Sequence, residues 1–172
     1  QVGNTSVTVV DKFLLYSIST SSGRVNEGQS FTTSIATTNV PRNTRLYYSL
    51  SGNGITSNDF SGGYLLGSGA VDSNGKFSFS HIPANDLKTE GNETVKIKLF
   101  SDAARRNQVG NTPSVTIVDT SKQPTWKITT SKNNLNEGDF FTFDIKPSNL
   151  SQNQTVYWSI VGENINPNDF VH

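Results

Sequence analysis

Cysteine is absent from all 172 residues, so neither disulfides nor thiolate chemistry holds or operates the fold. Methionine is absent too, including at the start, which agrees with an internal excerpt of a longer protein. Charge is scarce and balanced, with 14 basic and 14 acidic side chains. That leaves no basic field for nucleic acid and no acidic tail. No apolar run approaches the roughly 20 residues of a membrane-spanning helix. The two histidines, His81 and His172, stand apart from any serine–acid or multi-ligand pattern, so neither a catalytic triad nor a zinc site assembles. With no nucleophile–base pair, an enzyme is not expected. Glycines are plentiful, but Gly62-Gly63 and Gly67-x-Gly69 do not open a helix, which excludes a phosphate-cradling loop. Ser, Thr, Asn and Gly dominate instead. That mix suits a β-rich, weakly charged exterior protein better than a cytosolic enzyme.

What is present is a stretch written twice. Val25-Asn26-Glu27-Gly28 returns as Leu135-Asn136-Glu137-Gly138, and Leu46 to Gly52 returns as Val156 to Gly162. Asn58-Asp59-Phe60 returns as Asn168-Asp169-Phe170. All these pairs share one offset of about 110 residues, the mark of a tandem array. A further echo sets the phase: Gln1-Val2-Gly3-Asn4-Thr5 reappears as Gln108-Val109-Gly110-Asn111-Thr112, and both copies run to an aspartate, Asp11 and Asp119. Residues 1–11 therefore read as the last strand of a preceding repeat, 12–119 as one whole repeat, and 120–172 as the first half of a following one. Only the whole repeat has the length to bury its own core. The fragments are expected to be completed by a longer chain or by another copy.

Within the whole repeat, period-two alternation marks half-buried strands. Leu14, Tyr16 and Ile18 form the first such set, then Phe31, Thr33 and Ile35, then Leu46, Tyr48 and Leu50. Tyr64 to Val71 is apolar but carries two glycines, which predicts a bulged or edge strand. Asp72-Ser73-Asn74-Gly75 predicts a type I′ hairpin turn leading to Phe77 and Phe79. Val95, Ile97 and Leu99 alternate with lysines, and Val115 and Ile117 supply the last strand. Ser21 to Gly28 reads as a polar turn, and Ala84 to Asn92 as an acidic loop with room for one helical turn. The expected fold is all-β: a seven-stranded antiparallel β-sandwich of immunoglobulin-like type, in a tandem array. Without the Cys-Trp-Cys core of true immunoglobulin domains, aromatic residues such as Tyr16, Phe31, Tyr48, Phe60, Phe77 and Phe79 are expected to fill the interior.

The acidic residues fall where strands end: Glu27, Asp59, Asp86, Glu90, Glu93 and Asp119. Several carboxylates gathered at one pole of a sandwich repel unless a cation neutralises them, and calcium suits irregular oxygen ligation. The bland alternative is turn chemistry, with Asp59 and Asp86 in Asx turns. Glu93, at the head of the cleanest strand, reads as a turn or hydrogen-bonding residue.

Taken together, Asn26-Glu27-Gly28, Tyr48 to Gly52, Asn58-Asp59-Phe60, Asp86-Leu87-Lys88-Thr89-Glu90-Gly91-Asn92-Glu93-Thr94 and Val115 to Asp119 resemble the Calx-beta family. The resemblance spans nearly the whole central repeat and continues into both fragments. It implies a seven-stranded sandwich that in many members binds calcium at one pole and in others serves as a spacer. The metal ligands it implies here are Glu27, Asp59, Asp86, Glu90 and Asp119. Strong binders carry an acidic run after the last strand, where this chain has Thr120-Ser121-Lys122, so one site is expected rather than a multi-ion cluster.

The function this implies is a structural spacer or adhesion repeat of a long extracellular, cell-surface or virion protein, stiffened by calcium. Its partners would be neighbouring repeats or identical subunits, with no nucleic acid and no membrane insertion. Two alternatives stand beside it. One is a recognition module for surface glycans or a protein receptor, using Tyr47, Tyr157 or the 51–63 loop. The other is a fibre-forming subunit assembled by strand exchange.

Overall fold

A computed structural model describes residues 12–150 and 152–170, so the strand expected over residues 1–11 lies outside it. The chain divides into two compact units, Gln1–Gln123 and Pro124–His172. The described residues contain strands and two single 3-10 turns but no α-helix.

The first unit is an immunoglobulin-like sandwich. One sheet contains β1 (Leu15–Thr20), β3 (Phe31–Thr38) and β6 (Lys76–His81), in the order β1-β3-β6. The other runs β2 (Arg24–Asn26), β9 (Ser114–Val118), β7 (Glu93–Phe100), β4 (Arg45–Ser51) and β5 (Leu66–Ala70). A two-residue strand, β8 (Gln108–Val109), also pairs with β7. Ile18, Phe31, Ile35, Leu46, Leu50, Val95, Ile97, Leu99, Val115 and Ile117 are buried between the sheets, where period-two alternation delivers them. The core is largely aliphatic. Phe31 and Phe60 are buried in it, while Tyr16, Tyr48, Phe77 and Phe79 pack against it only partly covered.

Several details depart from the expectations. The polar segment Ser21–Gly28 contains β2, which pairs parallel to β9 with Val25 opposite Ile117. The first strand thus switches sheets: β1 serves one and β2 the other. The last strand is likewise interrupted, β8 and β9 being parts of one line broken at Gly110 to Pro113. Seven strand lines therefore appear as nine segments.

The Asp72–Gly75 turn is not a type I′ hairpin. Gly75 has φ of 74°, whereas Asn74 is not among the positive-φ residues that I′ requires. Asp72 Oδ1 accepts from the Asn74 and Lys76 amides, and the turn carries the chain from β5 in one sheet to β6 in the other. The segment 84–92 has no helical turn.

The break at Gly110–Pro113 has a structural role. Asn111 Oδ1 accepts from the Ile18 amide and its Nδ2 donates to the Ile18 carbonyl, both at 2.8 Å. One side chain thereby stands in for a neighbouring strand at the outer edge of β1. Gly110 has φ of 72°, and a Cβ there would lie 3.1 Å from the Tyr16 backbone oxygen, so the strap lies close against β1. Asn111→Ala should cost about 2 kcal/mol, two lost hydrogen bonds at a partly buried edge. The measurement is a lower denaturation midpoint at constant m-value, and an unchanged midpoint would show that water replaces the amide at no cost.

The second unit pairs β10 (Thr125–Thr130) with β11 (Phe143–Ser148). Thr125 lies opposite Ser148 as Leu15 lies opposite Thr38. The Thr142 amide donates to Ser131 Oγ just as Thr32 donates to Ser21 Oγ. The strand expected over Val156 to Gly162 does not form. Its counterpart β4 is held between β5 and β7, and the second unit has no described segment equivalent to either.

Candidate metal site

Topology brings the acidic segments of the first unit together. β2 and β9 run parallel, so their C-terminal ends share a pole; β7 runs against β9, so it starts there, and β4 ends there. The residues at these positions are Glu27, Asp119, Glu93 and the loop leading to Asp59. Parity adds a second constraint. Val25, Val95 and Ile117 are buried, so Glu27, Glu93 and Asp119, each two residues away, sit at core-facing positions where the core runs out.

Carboxylate oxygens of Asp59, Glu90 and Glu93 all lie within 4.8 Å of one another. Asp59 closes the 3-10 turn Ser57–Asp59 and is held by accepting from the Thr56 amide. Its backbone carbonyl accepts from Ala84 at 2.8 Å, which ties the 51–60 loop to the acidic loop. Glu93 is partly buried. Gly54 has φ of 83°, and a Cβ there would lie 2.2 Å from Glu93 Oε1, so glycine lets that loop close over the carboxylate. Burial raises the Glu93 pKa, and repulsion from Asp59, Glu90, Glu27 and Asp86 raises it further.

The remaining expected ligands have protein partners. Asp119 is 7 % exposed; the Gly91 amide donates to its Oδ2 at 2.9 Å, while Oδ1 is buried without a partner. Glu27 Oε2 accepts from the Thr120 amide, the Ser121 amide and the Ser121 hydroxyl, at 3.1, 2.8 and 2.6 Å. These bonds, with that from the Leu87 amide to Ser121 Oγ, hold residues 120 and 121 against the first unit beyond the boundary expected at Asp119. Asp86 is ion-paired with Lys88 at 2.8 Å, and Lys88 lies 3.9 Å from Glu90. That ion pair and the hydrogen bond from the Lys88 amide lower the Asp86 pKa. The protein thus supplies one internal cation at the rim of the cluster.

Of the five residues expected as ligands, Asp59 and Glu90 meet directly, joined by Glu93. The signal for Glu93 was present in the sequence: it shares parity with Val95, Ile97 and Leu99, which puts a carboxylate on the inward face. The donor set of these three carboxylates is all oxygen, which suits a hard divalent ion such as calcium. His81, by contrast, is buried among aromatic rings. Tyr47 lies under the Arg105 guanidinium, 5.8 Å from its ring centre, while Tyr157 in the second unit is exposed. Beside the 51–63 loop, the exposed Tyr64 joins Tyr48, Phe60 and His81 around a cleft of about 250 Å³.

No protein-family model matches the chain, and no curated protein matches it. Among solved structures it is similar to the crystal structure of CBD12 from CALX1.2, at 15 % identity and a TM-score of 0.38. That alignment covers 61 % of this chain and 44 % of the other, so this chain spans less than half of that structure's length. At that level of likeness neither residue roles nor ligands transfer. No helix among the described residues is long and apolar enough to cross a membrane.

Proposed function

We propose that the first unit is a calcium-binding β-sandwich module and that the protein acts as a spacer or adhesion repeat of a long extracellular, cell-surface or virion protein. The supporting observation is the convergence of Asp59, Glu90 and Glu93 at the pole where the first unit ends. A bound calcium ion supplies the positive charge that offsets the mutual repulsion of these carboxylates. Asp59, Glu90 and Glu93 would hold it, with Asp119 anchoring the Gly91 backbone beside them. Glu27, through Thr120 and Ser121, ties the same pole to the outgoing chain, so order at the pole stiffens the exit. Pro124 restricts the connection further.

Thermal unfolding with calcium or chelator tests the reading. Calcium at a hundredfold excess over its dissociation constant should stabilise the first unit by about 2.7 kcal/mol. Glu93→Gln should abolish most of that gain. In chelator the same variant should be more stable than the parent, because it removes a charge the fold disfavours. The sign follows from the raised Glu93 pKa: its unfavourable contribution is present when it is ionised and fades as pH falls through its folded value. A midpoint unmoved by millimolar calcium would eliminate the metal from the proposed function.

A further inference from the structure

Asparagine followed by glycine occurs twice in the chain, at Asn53-Gly54 and Asn74-Gly75, and both asparagines are exposed. The pair is chemically labile, because glycine has no side chain to keep its backbone nitrogen away from the asparagine side-chain carbon. Attack requires that nitrogen to be free and the local backbone to move, and the two sites differ in both respects. At the second, the Gly75 amide donates to the Asp72 carbonyl at 3.2 Å, and the Asn74 and Lys76 amides both donate to Asp72 Oδ1. The Gly75 carbonyl also accepts from the Thr37 amide and hydroxyl, each at 2.8 Å. At the first, no described hydrogen bond engages the Gly54 amide or the Asn53 side chain, and neither residue belongs to a strand. What Gly54 does approach gives the site a consequence. A Cβ on it would lie 2.2 Å from Glu93 Oε1, and Glu93 meets Asp59 and Glu90 there.

We propose that Asn53 is a site of spontaneous deamidation, which adds a carboxylate to this acidic pole. The Gly54 backbone nitrogen gives up its proton to base and bonds to Asn53 Cγ, and the side-chain nitrogen leaves as ammonia. Water then opens the cyclic imide at either carbonyl carbon. One product is aspartate at position 53. The other is isoaspartate, whose main chain runs through the former side chain and is longer by a methylene. The sum is asparagine plus water giving acid plus ammonia, with no oxidant, cofactor or enzyme. Both products place a negative charge next to Gly54, and the extra methylene of isoaspartate also moves Gly54 away from Glu93. The change is one-way, so the charge at the pole grows with the age of the molecule. It rests on the loop and not on a bound cation, and the experiment is accordingly run in chelator.

The test is incubation of the full chain in mildly alkaline buffer, followed by peptide mapping with mass spectrometry that separates aspartate from isoaspartate. In the folded chain Asn53 should lose its amide about tenfold faster than Asn74, the factor set by about 1.4 kcal/mol of local opening at the bonded turn. In urea, where that turn is gone, the two asparagines should react at similar rates. Asn53→Gln should leave only the slow reaction at Asn74. Asn53→Asp supplies the charged product without incubation. Its denaturation midpoint should fall below that of the parent, and the gap should narrow as salt screens the carboxylates. Equal rates at the two asparagines in the folded chain would overturn the proposal, as would an Asn53 that reacts only in urea. An Asn53→Asp midpoint equal to the parent's would overturn it too, since the new charge would then not reach the pole.

Discussion

Gly67→Val should destabilise the first unit by about 3 kcal/mol, through overpacking and the loss of an aromatic stack. Gly67 lies opposite Tyr48 in the β4–β5 pair, and a Cβ there would sit 2.2 Å from the Tyr48 ring. The ring has little freedom to retreat, because Phe79 stacks on it with ring centres 3.7 Å apart and planes at 6°. Nor does β5 shift easily. Arg105 donates from Nε to the Tyr48 carbonyl at 3.1 Å and from Nη2 to the Gly67 carbonyl at 3.2 Å, pinning both strands from outside. The same logic applies at Gly69, where a Cβ would meet the Phe77 ring at 2.4 Å. The two glycines that predicted an edge strand are the recesses in which the Tyr48 ring of the neighbouring strand and the Phe77 ring of the opposite sheet lie. Urea denaturation reads the effect. A loss below about 1 kcal/mol would mean that Tyr48 swings out freely and that the stack contributes little.

Acid should weaken the first unit through His81, and His81→Phe should remove that weakness. The imidazole is 9 % exposed and sits among Phe31, Tyr48, Phe60 and Phe79, with ring centres between 5.5 and 5.9 Å away. Its Nε2 is buried without a hydrogen-bond partner. Burial therefore pushes its pKa below the ordinary histidine value, since the cation would lose its hydration. A depressed histidine value means that the fold binds fewer protons than the unfolded chain. Stability from this group is whole above the unfolded value of about 6.5 and falls below it, by up to about 1.4 kcal/mol per pH unit. Glu93 acts in the opposite direction, so the informative quantity is the parent-minus-variant difference between pH 7 and 5. Phenylalanine fills the same aromatic space without an unpaired nitrogen, so that difference should grow as pH falls. Parallel pH profiles for parent and variant would refute the assignment.

Strand positions were legible in the sequence because alternation is local: a half-buried strand must place apolar side chains at every second residue, wherever its partners lie. The segments around Ile18, Ile35, Leu50, Ile97 and Ile117 appear as expected, and with them the all-β sandwich. The recurrence of one hairpin register in both units was likewise written in the repeat. Sheet membership was not legible, because it depends on pairing between residues far apart in the chain. Arg24 to Asn26 looks like a turn until β9 lies beside it, and Asp72–Gly75 looks like a hairpin until β5 and β6 are seen in different sheets. The reverse holds for Val156 to Gly162, which has the pattern of a strand but forms none among the described residues. The carboxylates divide in the same way. That they cluster at strand ends is a matter of sequence. That Glu93 joins Asp59 and Glu90, while Glu27 turns to Ser121 and Asp86 to Lys88, was decided only when the sheets brought those loops to one pole.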